Sequence, residues 1–203
     1  NSVSYLDKAI IEKYNRQDDR LSYSGFLNYA YTRSLYMDIP MSTTVNNLYE
    51  KILESLTNEW ERMDIPNKAF TAITLANFGR AEQAKPIIES LGQYSIYKPH
   101  YGRFWDTFSS GRDNYIYKTS ITSLILQAYH KIKPASIYID QIREWLIIEK
   151  QANDWGNSSM AADAVYAILS TGSDYLAKSQ SPSILINGKG STKSGEQIVS
   201  PIL

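Results

Sequence analysis

Residues 68–92 read KAFTAITLANFGRAEQAKPIIESLG, and the periodicity of this stretch decides the fold. Ala69, Ala72, Ile73 and Ala76 recur at the three- and four-residue steps that put side chains on one helix face. Gly79 follows as a stop, because a residue without Cβ enters the left-handed conformation at little steric cost. From Arg80 to Leu91 the same steps gather Ala84, Ile87, Ile88 and Leu91, and Gly92 is expected to end this second helix. A link this short makes the two helices antiparallel neighbours. One face is small and the other bulky, which is the signature of a helical hairpin with two distinct sides.

The same texture extends in both directions. Upstream, helices are expected over 3–14, with Leu6, Ile10 and Ile11 on one side, and over 26–36. A third opens at Ser42 to Thr44 after Pro40 and carries Leu48, Ile52, Leu56 and Trp60. Downstream, 93–115 is rich in Tyr, Pro, Gly, Ser, Asp and Asn and reads as a long loop holding Tyr101, Gly102, Phe104 and Trp105. A helix over 117–132 points Ile121, Leu124, Ile125 and Ala128 inward, and Pro134 ends it. Another over 139–151 aligns Ile142, Trp145, Leu146 and Glu149. After a loop at 153–156, Ser158 or Ser159 caps a last helix through Ala161, Ala164, Val165, Ile168 and Leu169, and Thr171-Gly172 stops it.

Beyond 178 the pattern changes. Ser179 to Ser183 is a polar linker, Ile184-Leu185-Ile186 is a short apolar run, Asn187-Gly188 is a tight-turn dipeptide, and Ile198-Val199 is a second β-like pair. The reading is therefore an all-α domain of helical-hairpin repeats over 1–178, α/α-toroid-like, followed by a β-type tail over 179–203 that begins an adjoining β domain.

Two stretches share a plan. Gly102-Arg103-Phe104-Trp105 and Asp154-Trp155-Gly156 each lead through a polar segment into a helix with small and aliphatic residues, and each follows a helix with an Ile- and Leu-rich face. Recurrence on this scale marks stacked helical hairpins. Helices with Ala69, Ala72 and Ala76 or Ala161, Ala162 and Ala164 suit a closely packed inner layer. Those with Ile87, Trp145 and Leu146 suit an outer one. Trp105 and Trp155 are expected to wedge between adjacent hairpins.

Composition removes several function classes. The 203 residues carry 21 basic and 21 acidic side chains, so the basic excess of a nucleic-acid binder is absent. There is no cysteine, which excludes disulfides, thiolate metal sites, a cysteine nucleophile and an internal thioester. No apolar run approaches the ~20 residues of a membrane span. The chain opens on Asn1-Ser2 rather than Met and has no basic segment followed by an apolar one, so any signal peptide is expected to have been removed or to lie outside it. Its 16 tyrosines fit a core margin with hydroxyls facing out, or else an aromatic surface for glycan or peptide.

Gln151-Ala152-Asn153-Asp154-Trp155 resembles the Gln-x-x-Asp-(Gly)-x-Trp element of α/α-toroid proteins, terpene cyclases included, without the usual Gly between Asp and Trp. Ile142-Arg143-Glu144-Trp145-Leu146, Lys150-Gln151, Trp155-Gly156 and the helix from Ala161 to Leu169 are together similar to the closing repeats of the thioester-type domain in bacterial α2-macroglobulin-like proteins. Ala69 to Leu91 looks like an earlier hairpin of that domain. The resemblance covers residues 65–170 and rests on structural motifs, so it speaks for fold more than for activity. It implies a periplasmic or cell-surface protein, membrane-anchored through a parent chain, that traps proteases. The partners implied are proteases and other domains of the same chain.

Residues able to carry chemistry are few. Ser194-Gly195-Glu196-Gln197 copies the family's Cys-Gly-Glu-Gln thioester motif with serine, which cannot form the bond, and it sits in the tail. His100 and His130 are the only histidines, and neither has metal-ligand spacing. For glycoside hydrolysis, an activity some toroids perform, the paired acids available are Asp18-Asp19, Glu59 with Glu61, and Asp106 with Asp113, of which the last pair flanks the aromatic loop. No catalytic residue, metal ligand or cofactor is assigned, and the expected function is non-catalytic. Two alternatives stay open. One is a toroid enzyme on polysaccharide or terpenoid; the other is a repeat module binding glycan or peptide through Tyr94, Tyr97, Tyr101 and Trp105 on one exposed face.

Overall fold

The computed structural model describes residues 2–16, 23–106, 114–152, 154–172, 184–186 and 189–191. Among these, eight α-helices run in order: α1 Ser2–Arg16, α2 Tyr23–Ser34, α3 Thr43–Glu59, α4 Ile65–Asn77, α5 Ala81–Gln93, α6 Asn114–Ile132, α7 Tyr138–Ala152 and α8 Ser158–Thr171. A 3₁₀ turn, Trp60–Arg62, joins α3 to α4. The chain divides into two compact units, Asn1–Thr171 and Gly172–Leu203. The fold is all-α, as the periodicity predicts.

Within the first unit the even-numbered helices form a row, α2 on α4, α4 on α6 and α6 on α8. The odd-numbered helices back this row: α3 packs on α2 and α4, α5 on α4 and α6, α7 on α6, and α1 on α2 and α3. Side-chain size explains the order. Ala69, Ala72, Ala128, Ala164 and Ala167 are fully buried in the row and let its helices approach closely. The backing helices fill the space behind with Ile52, Leu53, Leu56, Ile87, Ile88, Trp145 and Leu146, all fully buried.

Local chemistry sets the ends. The Ser42 side chain accepts from the Val45 N–H at 3.3 Å and starts α3. The Asp64 carboxylate accepts from the Asn67 N–H at 2.9 Å, and Pro66 sits in the first turn of α4, where no N–H is needed. At the other end of α4, Gly79 takes φ 73°. The Arg80 N–H reaches back to the Leu75 carbonyl at 2.9 Å and the Gly79 N–H to Ala76 at 3.1 Å, which completes a Schellman stop.

Five expectations need correction. Gly92 does not end α5 but lies within it. A Cβ there would stand 2.9 Å from the Tyr129 hydroxyl, so the glycine serves close packing on α6. The stretch read as a loop holds an antiparallel hairpin, β1 Ile96–Lys98 with β2 Gly102–Phe104, pairing Ile96 with Phe104. Its buried strand β2 lies against α7. On α1 the inward side is Val3, Asp7 and Ile10, while Leu6 is exposed. Asp7 occupies a core position because buried Arg33 pairs with it at 3.3 Å and the Tyr29 hydroxyl donates to it at 2.8 Å. On α8 the inward stripe is Met160, Ala164, Ala167 and Thr171. Ala162, Val165 and Leu169 face outward because they lie off the line that meets α6. Asn157, not Ser158 or Ser159, caps this helix, its side chain accepting from the Met160 N–H at 3.1 Å.

In the second unit Ile184–Ile186 (β3) pairs antiparallel with Lys189–Ser191 (β4), Ile186 opposite Lys189, as the apolar run and the following Asn187-Gly188 suggest. Ile198-Val199 lies outside the described residues.

Candidate functional site

Trp105 follows β2 and is fully buried. Its indole N–H donates to the Leu91 carbonyl near the end of α5 at 2.7 Å, and its backbone N–H points at Thr122 Oγ1 of α6 at 3.4 Å. Trp155 is half-buried and does the same one hairpin later, donating to the Leu146 carbonyl of α7 at 2.7 Å. The loop carrying Trp155 turns at Asp154, whose φ is 74°. Lys150 Nζ at 2.6 Å and the Trp155 N–H at 2.7 Å both donate to the Asp154 carboxylate. The Lys150 bond, then the backbone bond, hold that carboxyl below its ordinary range. Trp105 is thus a wedge between α5 and α6, as expected from the sequence, whereas Trp155 is tied back to α7, the helix before it.

The aromatic segment around them does not form one exposed face. Tyr94 and Tyr97 are exposed and Tyr101 is half-buried, but Trp105 is sealed. Tyr101 donates to buried Glu149 of α7 at 2.6 Å, and this bond, ahead of burial, pushes its hydroxyl pKa up to about 12. Arg103 lies 3.6 Å from the Tyr138 ring centre and 5.2 Å from that of Tyr97, while its Nε donates to Gln141 at 2.9 Å. These contacts tie the hairpin to α7.

The residues singled out for chemistry are dispersed. Asp106 sits 3.6 Å from Lys118, and its intended partner Asp113 lies outside the described residues, as do Asp18, Asp19 and Ser194 to Gln197. Glu59 accepts from Ser55 at 2.5 Å and Glu61 is exposed. His100 is exposed in the turn between β1 and β2 with φ 60°. His130 is exposed near the end of α6.

What the structure does bring together was not singled out in the sequence. A cavity of about 530 Å³ is lined from all four helices of the row: Tyr31 of α2, Phe70 of α4, Ile121 and Leu124 of α6, and Asp163 and Tyr166 of α8. Tyr31 and Phe70 meet edge to face, their ring centres 4.6 Å apart at 67°. Ser120 donates to the Asp163 carboxylate at 2.6 Å. Burial first, then Tyr166 and Asp163, raise the Tyr31 hydroxyl above its ordinary pKa, so it stays a neutral donor. A second cavity of about 370 Å³ shares Tyr31, Gln127 and Tyr166 with the first and is bounded by His130 and Lys131. The sequence signal was slight: Asp163 is the one acid between the alanines of α8.

No family model, curated protein or solved structure matches this chain.

Proposed function

We propose that this chain is a non-catalytic helical domain of an α2-macroglobulin-like endopeptidase inhibitor, and that its row of hairpins is a segment of an α/α toroid. The carrying observation is the pair of seals: Trp105 to Leu91 and Trp155 to Leu146 close successive hairpins by the same indole-to-carbonyl bond. The residues that make the second seal belong to the stretch on which the resemblance rests. The β3–β4 hairpin, which follows the helices in the chain, agrees with a β-rich segment after the helical domain. Without cysteine the capture is steric rather than covalent, and the domain acts as a packing and docking element outside the cytoplasm.

The test uses the full polypeptide encoded by the parent gene. It is incubated with a panel of endopeptidases, and residual activity is read on a large protein substrate and on a small peptide. Steric capture predicts loss of cleavage of the large substrate with the small one still cut. Equal activity on both substrates after cleavage of the parent, or a parent chain with no further β domains, defeats the reading.

A further inference from the structure

We propose that the groove along α2, α4, α6 and α8 is a binding site for a basic side chain presented by an extended protein segment. This goes beyond the inhibitor reading and stands independently of it. Among the described residues, one charged side chain, Asp163, lines the cavity of about 530 Å³. One Asp163 oxygen accepts from Ser120 at 2.6 Å, and among the described residues no cation pairs with it. A carboxylate oxygen has room for further donors, and an ammonium or guanidinium supplies them with charge assistance. Aromatic rings surround the same space. Tyr31 and Phe70 stand nearly perpendicular on one side, and Tyr166 comes from α8. Ring faces carry negative charge density and attract a cation within about 6 Å of the ring centre. Ile121 and Leu124 offer an apolar floor for the methylene stem.

Other occupants fit less well. An anion meets the Asp163 charge, and a purely apolar group strips water from that carboxylate without replacing its hydrogen bonds. Gln127 leans its amide nitrogen to the Ser123 carbonyl at 3.4 Å, which leaves its oxygen as a further acceptor on the wall. The second cavity, beside His130 and Lys131, borders the first through the shared residues Tyr31, Gln127 and Tyr166. It also places a basic region where an acidic neighbour of the bound residue would be welcome. A mixed-charge peptide matches both ends.

The test is an NMR titration of the ¹⁵N-labelled 203-residue chain with three probes: Nα-acetyl-lysine methylamide, its arginine counterpart, and the neutral Nα-acetyl-norleucine methylamide. The better basic probe should move the amides of Ser120, Gln127 and Asp163 with a midpoint on the order of millimolar, at least about tenfold tighter than norleucine. Asp163→Asn keeps the size of the side chain and an acceptor for Ser120; Tyr166→Ala removes an exposed ring and leaves the core intact. Each should weaken the basic probe about fivefold while the amide spectrum stays dispersed. Equal midpoints for basic and neutral probes, no saturable movement of groove amides with either basic probe, or unchanged affinity in both variants overturns the proposal.

Discussion

The Trp105 indole nitrogen and the Leu91 carbonyl oxygen are 2.7 Å apart in a part of the core with no solvent exposure. That bond fastens the segment after β2 to the last turn of α5. The Leu91 carbonyl also accepts from the Tyr94 N–H at 3.2 Å, so one oxygen serves both the helix end and the wedge. Trp105→Phe removes the donor and shrinks the ring, and no water reaches the vacated site. The expected cost is about 2–4 kcal/mol of unfolding free energy. Trp155→Phe removes the matching donor at a half-buried position where water can replace it, and should cost about 1 kcal/mol. Urea unfolding of both variants checks the ranking; equal losses would mean that the two indole bonds are not graded by burial.

Arg33 and Asp7 form the most deeply buried ion pair among the described residues, and Arg33 also donates to the Tyr36 and Ile39 carbonyls. Arg33→Met leaves Asp7 with Tyr29 alone and frees two carbonyls of the turn after α2. A loss of about 3–5 kcal/mol is expected. The double variant Arg33→Met, Asp7→Leu should recover part of that loss, because it leaves no unpaired charge buried. A double-mutant cycle by chemical denaturation measures the recovery, and a strictly additive result would remove the pairing argument.

Helix period, the Ser42 cap and the Gly79 stop were legible in the sequence because each rests on local chemistry: alanine spacing, a Ser before a helix, a glycine after one. The errors came where tertiary partners overrule the local pattern. Leu6 reads as an inward residue of α1, but that side carries Asp7 instead because Arg33 arrives from α2, 26 positions along the chain from Asp7. Gly92 reads as a helix end until Tyr129 is seen to occupy the space its Cβ would need. The β1–β2 hairpin hid among turn-forming residues because its register is held by α7. The groove was invisible for the same reason: Tyr31, Phe70, Ser120 and Asp163 come from four helices and share no motif.

Alkaline pH should unfold the protein through its tyrosines. Tyr101 has its folded-state pKa pushed up to about 12 by the bond to Glu149, above the ordinary 10. Tyr29, Tyr49 and Tyr129 are raised in the same direction, chiefly by burial. A group raised on folding stabilises the folded state fully below its unfolded pKa, and that contribution falls as pH climbs toward the folded value. Stability is therefore expected to hold up to about pH 10 and decline from there to about pH 12. Absorbance at the tyrosinate band, followed with circular dichroism, tests this. Tyr101→Phe should flatten the decline between those limits, and an unchanged slope would show that the bond to Glu149 does not contribute.

Three glycines with left-handed or crowded sites should respond differently to alanine, and the spacing of neighbouring atoms sets the order. Gly79 has φ 73° but nothing within 4 Å of a built Cβ, so Gly79→Ala carries only the backbone strain of about 1 kcal/mol. Gly92 has ordinary helical backbone, but its Cβ would press on Tyr129 Oη at 2.9 Å and Tyr138 at 3.3 Å. Alanine gains helix propensity there and loses packing with α6, so a net cost of about 1–3 kcal/mol is expected. Gly102 combines both penalties. Its φ is 95°, and a Cβ would lie 2.4 Å from the Gln141 carbonyl oxygen and 2.4 Å from the Trp145 nitrogen. These are backbone atoms of α7, which cannot rotate aside as a side chain can. Gly102→Ala must push β2 off α7 and strain the bonds by which Tyr101 reaches Glu149 and Arg103 reaches Gln141. The loss should exceed about 4 kcal/mol, enough to leave a marginal domain largely unfolded at room temperature. Thermal melts of the three variants decide the matter: a Gly102→Ala protein that melts with Gly79→Ala would mean that β2 does not rest on the α7 backbone.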